Sequence, residues 1–168
     1  MSVKSFINYK IKGDSRGKRH LTASLEILVK VGVKPEDYLR KIEGTPKAAA
    51  WKSRLSSYSP SAEAVRGLSK IKQKFNIITF SAHWCKDCLQ NIPALVKTLN
   101  EAKNSNIRLA MIDIDSNKQI AQEADVRAIP TIIVYNSNGS EVARIIENPS
   151  KGFGTVEDEL LSILMTHN

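Results

Sequence analysis

The sequence predicts an α/β fold, a central mixed sheet flanked by helices, with a helical extension at the N-terminus. Three observations predict it. Up to Phe75 apolar residues recur at helical spacing, whereas beyond it short apolar runs of strand length alternate with amphipathic helical stretches. A strand, helix, strand succession over residues 76 to 114 implies a parallel pair, and both faces of such a sheet need covering. Asn138-Gly139 between two apolar runs marks a hairpin, so an antiparallel pair joins the same sheet. With 168 residues and 42% hydrophobic content, the chain is long enough for one packed domain, or one domain plus an extension.

The elements follow in order. Leu21, Leu25, Leu28 and Val29 fall on one helical face; Pro35 suits the first turn of a helix carrying Tyr38, Leu39 and Ile42, and Gly44 ends it. Thr45-Pro46 reads as cap and first turn of a helix from Ala48 to Leu55 that carries Trp51. The Ser56-Ser57-Tyr58-Ser59-Pro60 break is the best boundary, dividing a basic, mostly helical extension (1–58) from the remaining domain (59–168). Pro60 opens a helix with Val65, Leu68 and Ile71 facing inward. Asn76 to Ser81 is a buried strand, Lys86 to Lys103 a helix, and Ile107 to Ile114 a strand. A helix from Asn117 to Ala124, strands Thr131 to Tyr135 and Glu141 to Ile146, and a helix from Thr155 to Met165 capped by Thr155 complete the chain.

Charge is unevenly spread. Residues 1 to 74 carry 17 Lys and Arg against 6 Asp and Glu, and residues 75 to 168 carry 8 against 11, which suggests two pieces with different roles. The densest basic run, Lys10, Lys12, Arg16, Lys18, Arg19 and His20 around Gly13 and Gly17, forms no recognised phosphate loop and has Tyr9 as its one aromatic. A mobile, solvated segment is expected there, and nucleic acid is not expected as a partner. The start, Met1 to Ile7, lacks a continuous apolar core, and no run approaches the roughly 18 apolar residues of a membrane span. The chain is read as cytoplasmic, without a membrane partner.

Trp84-Cys85-Lys86-Asp87-Cys88 holds both cysteines of the chain, after the strand and before the helix. The first sulfur there meets unpaired backbone N–H groups and the positive end of the helix dipole, which favour thiolate over thiol. The second lies about one turn further on, near enough to close a ring with the first. In a reducing compartment such a pair is catalytic or metal-binding before it is a structural staple. A zinc site wants four ligands, and His20, His83 and His167 make no second spaced pair, so no metal and no other cofactor is expected. Asp113 and Asp115 read as solvated turn carboxylates.

Residues 62 to 166 resemble a thioredoxin-fold protein: a helix, a strand ending in Trp84-Cys85-x-x-Cys88, Pro93 in the following helix, and Ile129-Pro130-Thr131 opening the next strand. The branch with a Trp-Cys-x-Asp-Cys site, Asn91-Ile92-Pro93, and Arg144-x-x-Glu147-x-Pro149 is the most similar. The resemblance implies a thioredoxin fold and a thiol–disulfide oxidoreductase. It implies Cys85 as nucleophile, Cys88 as resolving thiol, and Pro130 as a cis-proline whose preceding residue, Ile129, pairs through its backbone with an extended substrate. It also places a buried carboxylate where this chain has Thr79, and Asp87 stands where proline is commoner. Lys86 and Asp87 tune the thiolate in opposite directions. His83 reads as a loop residue tuning the site, with an acid–base role as the alternative. Trp84 serves as lid and packing surface or as substrate contact, and Pro93 as a helix kink.

Two functions of different class follow. The first is a cytosolic reductase acting on disulfide-containing proteins and re-reduced by a reductase or another thiol donor. The second is a scaffold whose basic N-terminal segment binds an acidic partner or nucleic acid, with the cysteine pair as a redox switch. The extension is expected to pack beside the core and shape substrate choice, and its removal to leave a soluble, redox-active domain.

Overall fold

A computed structural model describes residues 10–13 and 19–168 of the chain. Six strands and seven helices follow one another among these residues. β1 (Lys10–Gly13) and β2 (Arg19–Thr22) pair antiparallel. Then come α1 (Leu25–Val31), α2 (Pro35–Lys41), α3 (Ala48–Ser57) and α4 (Ala62–Ser69). The remainder is β3 (Phe75–Ser81), α5 (Lys86–Ala102), β4 (Ile107–Asp113), α6 (Lys118–Glu123), β5 (Thr131–Tyr135), β6 (Glu141–Ile146) and α7 (Val156–Thr166).

The central sheet has the order β4-β3-β5-β6, with β3 and β4 parallel and the other two pairs antiparallel, so it is mixed as expected. Parallel pairing follows from the α5 crossover, and the antiparallel β5–β6 pair from the turn through Gly139, whose φ of +75° costs a glycine nothing. Period-two alternation sends Phe75 and Ile77 of β3 to one face and Ile78 and Phe80 to the other. The first face packs against Tyr38, Ile42, Trp51, Leu68, Ile92, Leu95, Leu160 and Leu164 from α2 to α5 and α7. The second face meets Leu28 of α1 and Ala121 of α6.

The N-terminal helices are thus built into the sheet's own cover. Val33 exchanges two backbone hydrogen bonds with Met111 of β4, at 2.9 and 2.8 Å, before Pro35 starts α2. Trp51 and Tyr38 are fully buried and lie ring against ring, centroids 5.6 Å apart. The boundary expected after residue 58 falls in the turn between α3 and α4, and one hydrophobic cluster crosses it.

Several local expectations change. Part of the basic run, Lys10, Lys12, Arg19 and His20, sits in paired strands where an irregular segment was expected, because backbone pairing does not need an apolar face. Arg16, Lys18 and the Met1 to Ile7 start lie outside the described residues. Leu21 belongs to β2 instead of the first helix, and Val29 is 48% exposed while Ile27 takes the buried position. Lys47, not Thr45, stands at the N-cap position of α3, and its side chain makes no capping hydrogen bond. Ser61 caps α4 by accepting from the Ala64 N–H, and Thr155 caps α7 as expected, accepting from Asp158 N–H.

Candidate active site

β3 delivers the chain to the sheet's end, where Ile114 N–H donates to the Ser81 carbonyl at 3.0 Å and fixes the strand terminus. After the buried Ala82 the chain turns through half-buried His83 and exposed Trp84, and Cys85 becomes the N-cap of α5. The Cys85 sulfur accepts from the Cys88 N–H at 3.1 Å and its thiol donates to the Ile129 carbonyl at 3.4 Å. An N-cap sulfur holding an orphan N–H sits where the helix dipole favours negative charge. Both cysteines are free; Cys85 retains a sliver of exposure and Cys88 has none.

Burial pushes the Cys88 thiol well above its ordinary value, the neighbouring Cys85 adds to the rise, and the Ser81 hydroxyl and Ala82 backbone oppose it. The two sulfurs are therefore unequal. One is reachable and sits at a helix terminus, and the other is a protonated thiol in reserve behind it.

The rest of the site is held from four directions. Trp84, 53% exposed, donates from its indole Nε1 to Asp115 at 2.8 Å, which lays the ring over the loop after β4. Trp51 of α3 donates from Nε1 to the His83 carbonyl at 3.0 Å, so the N-terminal helices brace the active-site loop directly. The Ile129–Pro130 peptide is cis, Pro130 is buried, and the Pro130 carbonyl accepts from Glu147 N–H at 2.7 Å. Asn91 donates to the Glu147 carbonyl at 2.8 Å and to Asn148 at 3.2 Å, tying α5 to the turn after β6, where Glu147 takes a left-handed φ of +61°. Arg144 is paired bidentately with Glu141 and also donates to the Ala124 and Asp125 carbonyls, a scaffold role.

Of the residues singled out in the sequence, Cys85, Cys88 and Ile129 meet directly, and Trp84 and Ile129 line one groove of about 380 Å³ with Lys118 and Arg127. Lys86 is exposed and Asp87 half-buried in the first turn of α5. Pro93 is accommodated inside α5 and buried. A second concavity, about 750 Å³ along β4, is lined by neither cysteine. Thr79 is buried with its hydroxyl unpartnered. Among the described residues no cluster of His, Cys, Asp or Glu is arranged to hold a metal ion, and no helix is long and apolar enough to cross a membrane.

Sequence reasoning missed Trp51, Tyr38, Ser81 and Asp115 as parts of the site. Trp51 and Tyr38 were legible as helix-face positions, but the contacts that bring them to the cysteines span more than thirty residues and leave no local signature.

A family profile described as Thioredoxin matches residues 32–159, beginning within the N-terminal helices. A thioredoxin from Malassezia sympodialis is 30% identical over 98 residues, 58% of this chain and 88% of that protein. Thioredoxin H2 from Arabidopsis thaliana is 31% identical over 110 residues, 64% of this chain and 75% of that protein. A crystal structure of a protein of unknown function from Pseudomonas aeruginosa superposes with a TM-score of 0.70 at 20% identity, covering 88% of this chain and 100% of that one. That coverage exceeds residues 59–168, so the shared fold extends into the helices before them.

Proposed function

The chain belongs to the thioredoxin family, whose members act on disulfides, and on that premise we propose that it is a protein disulfide reductase with Cys85 as nucleophile and Cys88 as resolving thiol. The observation that carries this reading is the asymmetry of the pair: the Cys85 sulfur caps α5 and keeps a sliver of exposure, and Cys88 lies fully buried one turn behind it.

The Cys85 thiolate attacks one sulfur of a substrate disulfide; that S–S bond breaks, and its electron pair leaves on the other substrate sulfur, which takes up a proton. Cys88 then gives up its proton and attacks Cys85 in the mixed disulfide. The Cys85–Cys88 bond forms and the second substrate sulfur leaves as a thiol. Two electrons and two protons pass to the substrate, and a thiol donor must return them. Ile129 is assigned to backbone recognition of an extended substrate beside Cys85, with the cis bond to Pro130 presenting it and Trp84 lining the same groove as Ile129. His83, Lys86 and Asp87 are assigned to tuning, because they flank the nucleophile without touching its sulfur through a hydrogen bond. Folded disulfide-containing proteins in the cytoplasm are the proposed substrates, and a reductase or another dithiol is the donor.

The test is turnover of a model protein disulfide under a thiol reductant. Wild type is expected to accelerate reduction, Cys85→Ser to abolish the acceleration, and Cys88→Ser to accumulate a trapped mixed disulfide. A wild type no faster than the reductant alone would overturn the assignment and turn attention to the basic N-terminal segment as a binding element.

A further inference from the structure

Resting on the disulfide-exchange reading, a further task falls to the N-terminal helices: we propose that Lys41 of α2 and Trp51 of α3 are positioning residues that hold Trp84 by its indole and by its backbone, and so keep ready the groove in which an extended protein disulfide docks.

Trp84 is 53% exposed, in the short turn between β3 and α5. A ring left that far in solvent is fixed less by packing than by what grips its polar atom and its backbone. Both grips come from the first helices. The His83 carbonyl shares one planar peptide unit with the Trp84 nitrogen. Trp51, itself fully buried, donates to that carbonyl at 3.0 Å, so α3 sets the plane from which Trp84 departs.

The second grip runs through the loop after β4. Trp84 Nε1–H donates to the Asp115 carboxylate at 2.8 Å. The loop converges on Asp113, whose Oδ1 accepts from Asp115 N–H at 3.3 Å, whose Oδ2 accepts from Ser116 Oγ at 2.9 Å, and whose carbonyl accepts from the Asn117 amide at 2.9 Å. Lys41, the last residue of α2, crosses to this point: its ammonium donates to Asp113 Oδ2 and to Ser116 Oγ, each at 2.9 Å. Lys41 therefore reaches the acceptor of the indole by way of Asp113. The two grips act as one unit, because Tyr38 of α2 and Trp51 of α3 lie ring against ring with centroids 5.6 Å apart.

Trp84 and Ile129 line one groove, and the Ile129 carbonyl accepts from the Cys85 thiol. A chain laid there finds the indole already in place, whereas an indole that had to be ordered at each encounter would cost affinity. A small disulfide needs the sulfur and not the groove. The hydrogen bonds of the Cys85 sulfur, with Cys88 N–H and the Ile129 carbonyl, involve neither Lys41 nor Trp51. The clamp thus acts on the binding of extended substrates and leaves the chemistry of Cys85 alone.

The experiment sets KM and kcat for a model protein disulfide against the second-order rate with a small aromatic disulfide, in the full chain. Lys41→Met keeps the aliphatic stem and removes the ammonium. It is expected to raise the protein KM about threefold with kcat and the small-disulfide rate unchanged, and Lys41→Arg to restore KM. Asp115→Ala removes the acceptor of the indole and is expected to raise KM about tenfold, the effect of one hydrogen bond to a charged group. Adding Lys41→Met to Asp115→Ala is expected to change KM no further, since Lys41 acts through Asp115. Trp51→Phe keeps a ring against Tyr38, removes the donor and is expected to raise KM about threefold. Lys52→Met, which breaks the exposed Lys52–Glu43 pair in the same layer, is expected to leave KM in place. With Trp51 buried, acrylamide reads Trp84, and its quenching is expected to rise in Lys41→Met and in Asp115→Ala. A protein KM unmoved by Lys41→Met, a small-disulfide rate that falls in parallel, or fully additive effects of Lys41→Met and Asp115→Ala would each overturn the clamp and leave disulfide exchange standing. A wild type that reduces neither disulfide overturns both.

Discussion

At the scale of single residues, the decisive contrast is between two sulfurs three positions apart. Cys85 owes its place to the strand that ends before it and the helix that starts after it, both legible as a change of hydrophobic period in the sequence. The raised thiol of Cys88 owes more to burial than to its neighbour Cys85, which adds to the rise. The burial comes from the tertiary cluster that Cys88 shares with Tyr38, Trp51, Ile77 and Ile92, and it raises the thiol by desolvation, an effect that the Cys-x-x-Cys spacing does not contain. Alkylation distinguishes the two. At neutral pH, iodoacetamide on the reduced native protein is expected to add one carboxamidomethyl group, located on Cys85 by peptide mass mapping, with a second appearing only after denaturation. Two adducts forming at equal rates in the native state would mean that Cys88 is not covered as described.

At the scale of elements, the sheet and its crossover helices were readable because each is punctuated locally. Pro35 starts α2, Thr155 caps α7, Asn138-Gly139 turns β5 into β6, and the strand limits Thr131 to Tyr135 and Glu141 to Ile146 agree with observation. What was not readable is how the early helices dock. Val33 meeting Met111, and Lys41 meeting Asp113, are long-range matches set by packing. The second of these has a measurable pH signature. Burial pushes the Asp113 carboxyl up, but the Lys41 ammonium 2.9 Å away and the Ser116 hydroxyl more than offset it, leaving its pKa below the ordinary carboxylate value. A carboxyl depressed in the folded state contributes stability that is fully present above its unfolded value, about 3.9, and is lost as pH falls through the lower native value. Lys41→Met is expected to raise the native Asp113 value, so the thermal midpoint should drop at neutral pH and converge with wild type in acid. Melting curves from about pH 3 to 7 measure this. A constant offset across the range would remove the α2–β4 ion pair from the account.

At the scale of the whole molecule, charge asymmetry and core continuity divide the chain differently. The first 74 residues are basic and the rest mildly acidic, which suggests an appendage on a self-sufficient domain. The division after residue 58 respects that asymmetry and falls in a turn. The hydrophobic core does not respect it. Tyr38, Ile42 and Trp51 sit in the same cluster as Ile77, Cys88, Ile92 and Val134, and Trp51 also holds the His83 carbonyl at the rim of the active site. Truncating one buried Trp to Ala typically costs about 3–5 kcal/mol, and a domain's whole stability is about 5–15 kcal/mol. Removing residues 1–58 deletes Trp51, Tyr38 and Ile42 together and uncovers the sheet face beneath Cys88, a loss comparable to the entire margin. Core continuity thus argues against the soluble, active fragment that composition alone suggests. The fragment 59–168 is expected to lose its cooperative thermal transition and to alkylate at both cysteines, whereas a chain lacking only residues 1–22 keeps Tyr38, Ile42 and Trp51 and should melt cooperatively. Calorimetry of the two truncations decides it: a sharp transition and full disulfide turnover from 59–168 would show the first helices to be an accessory to an independent fold.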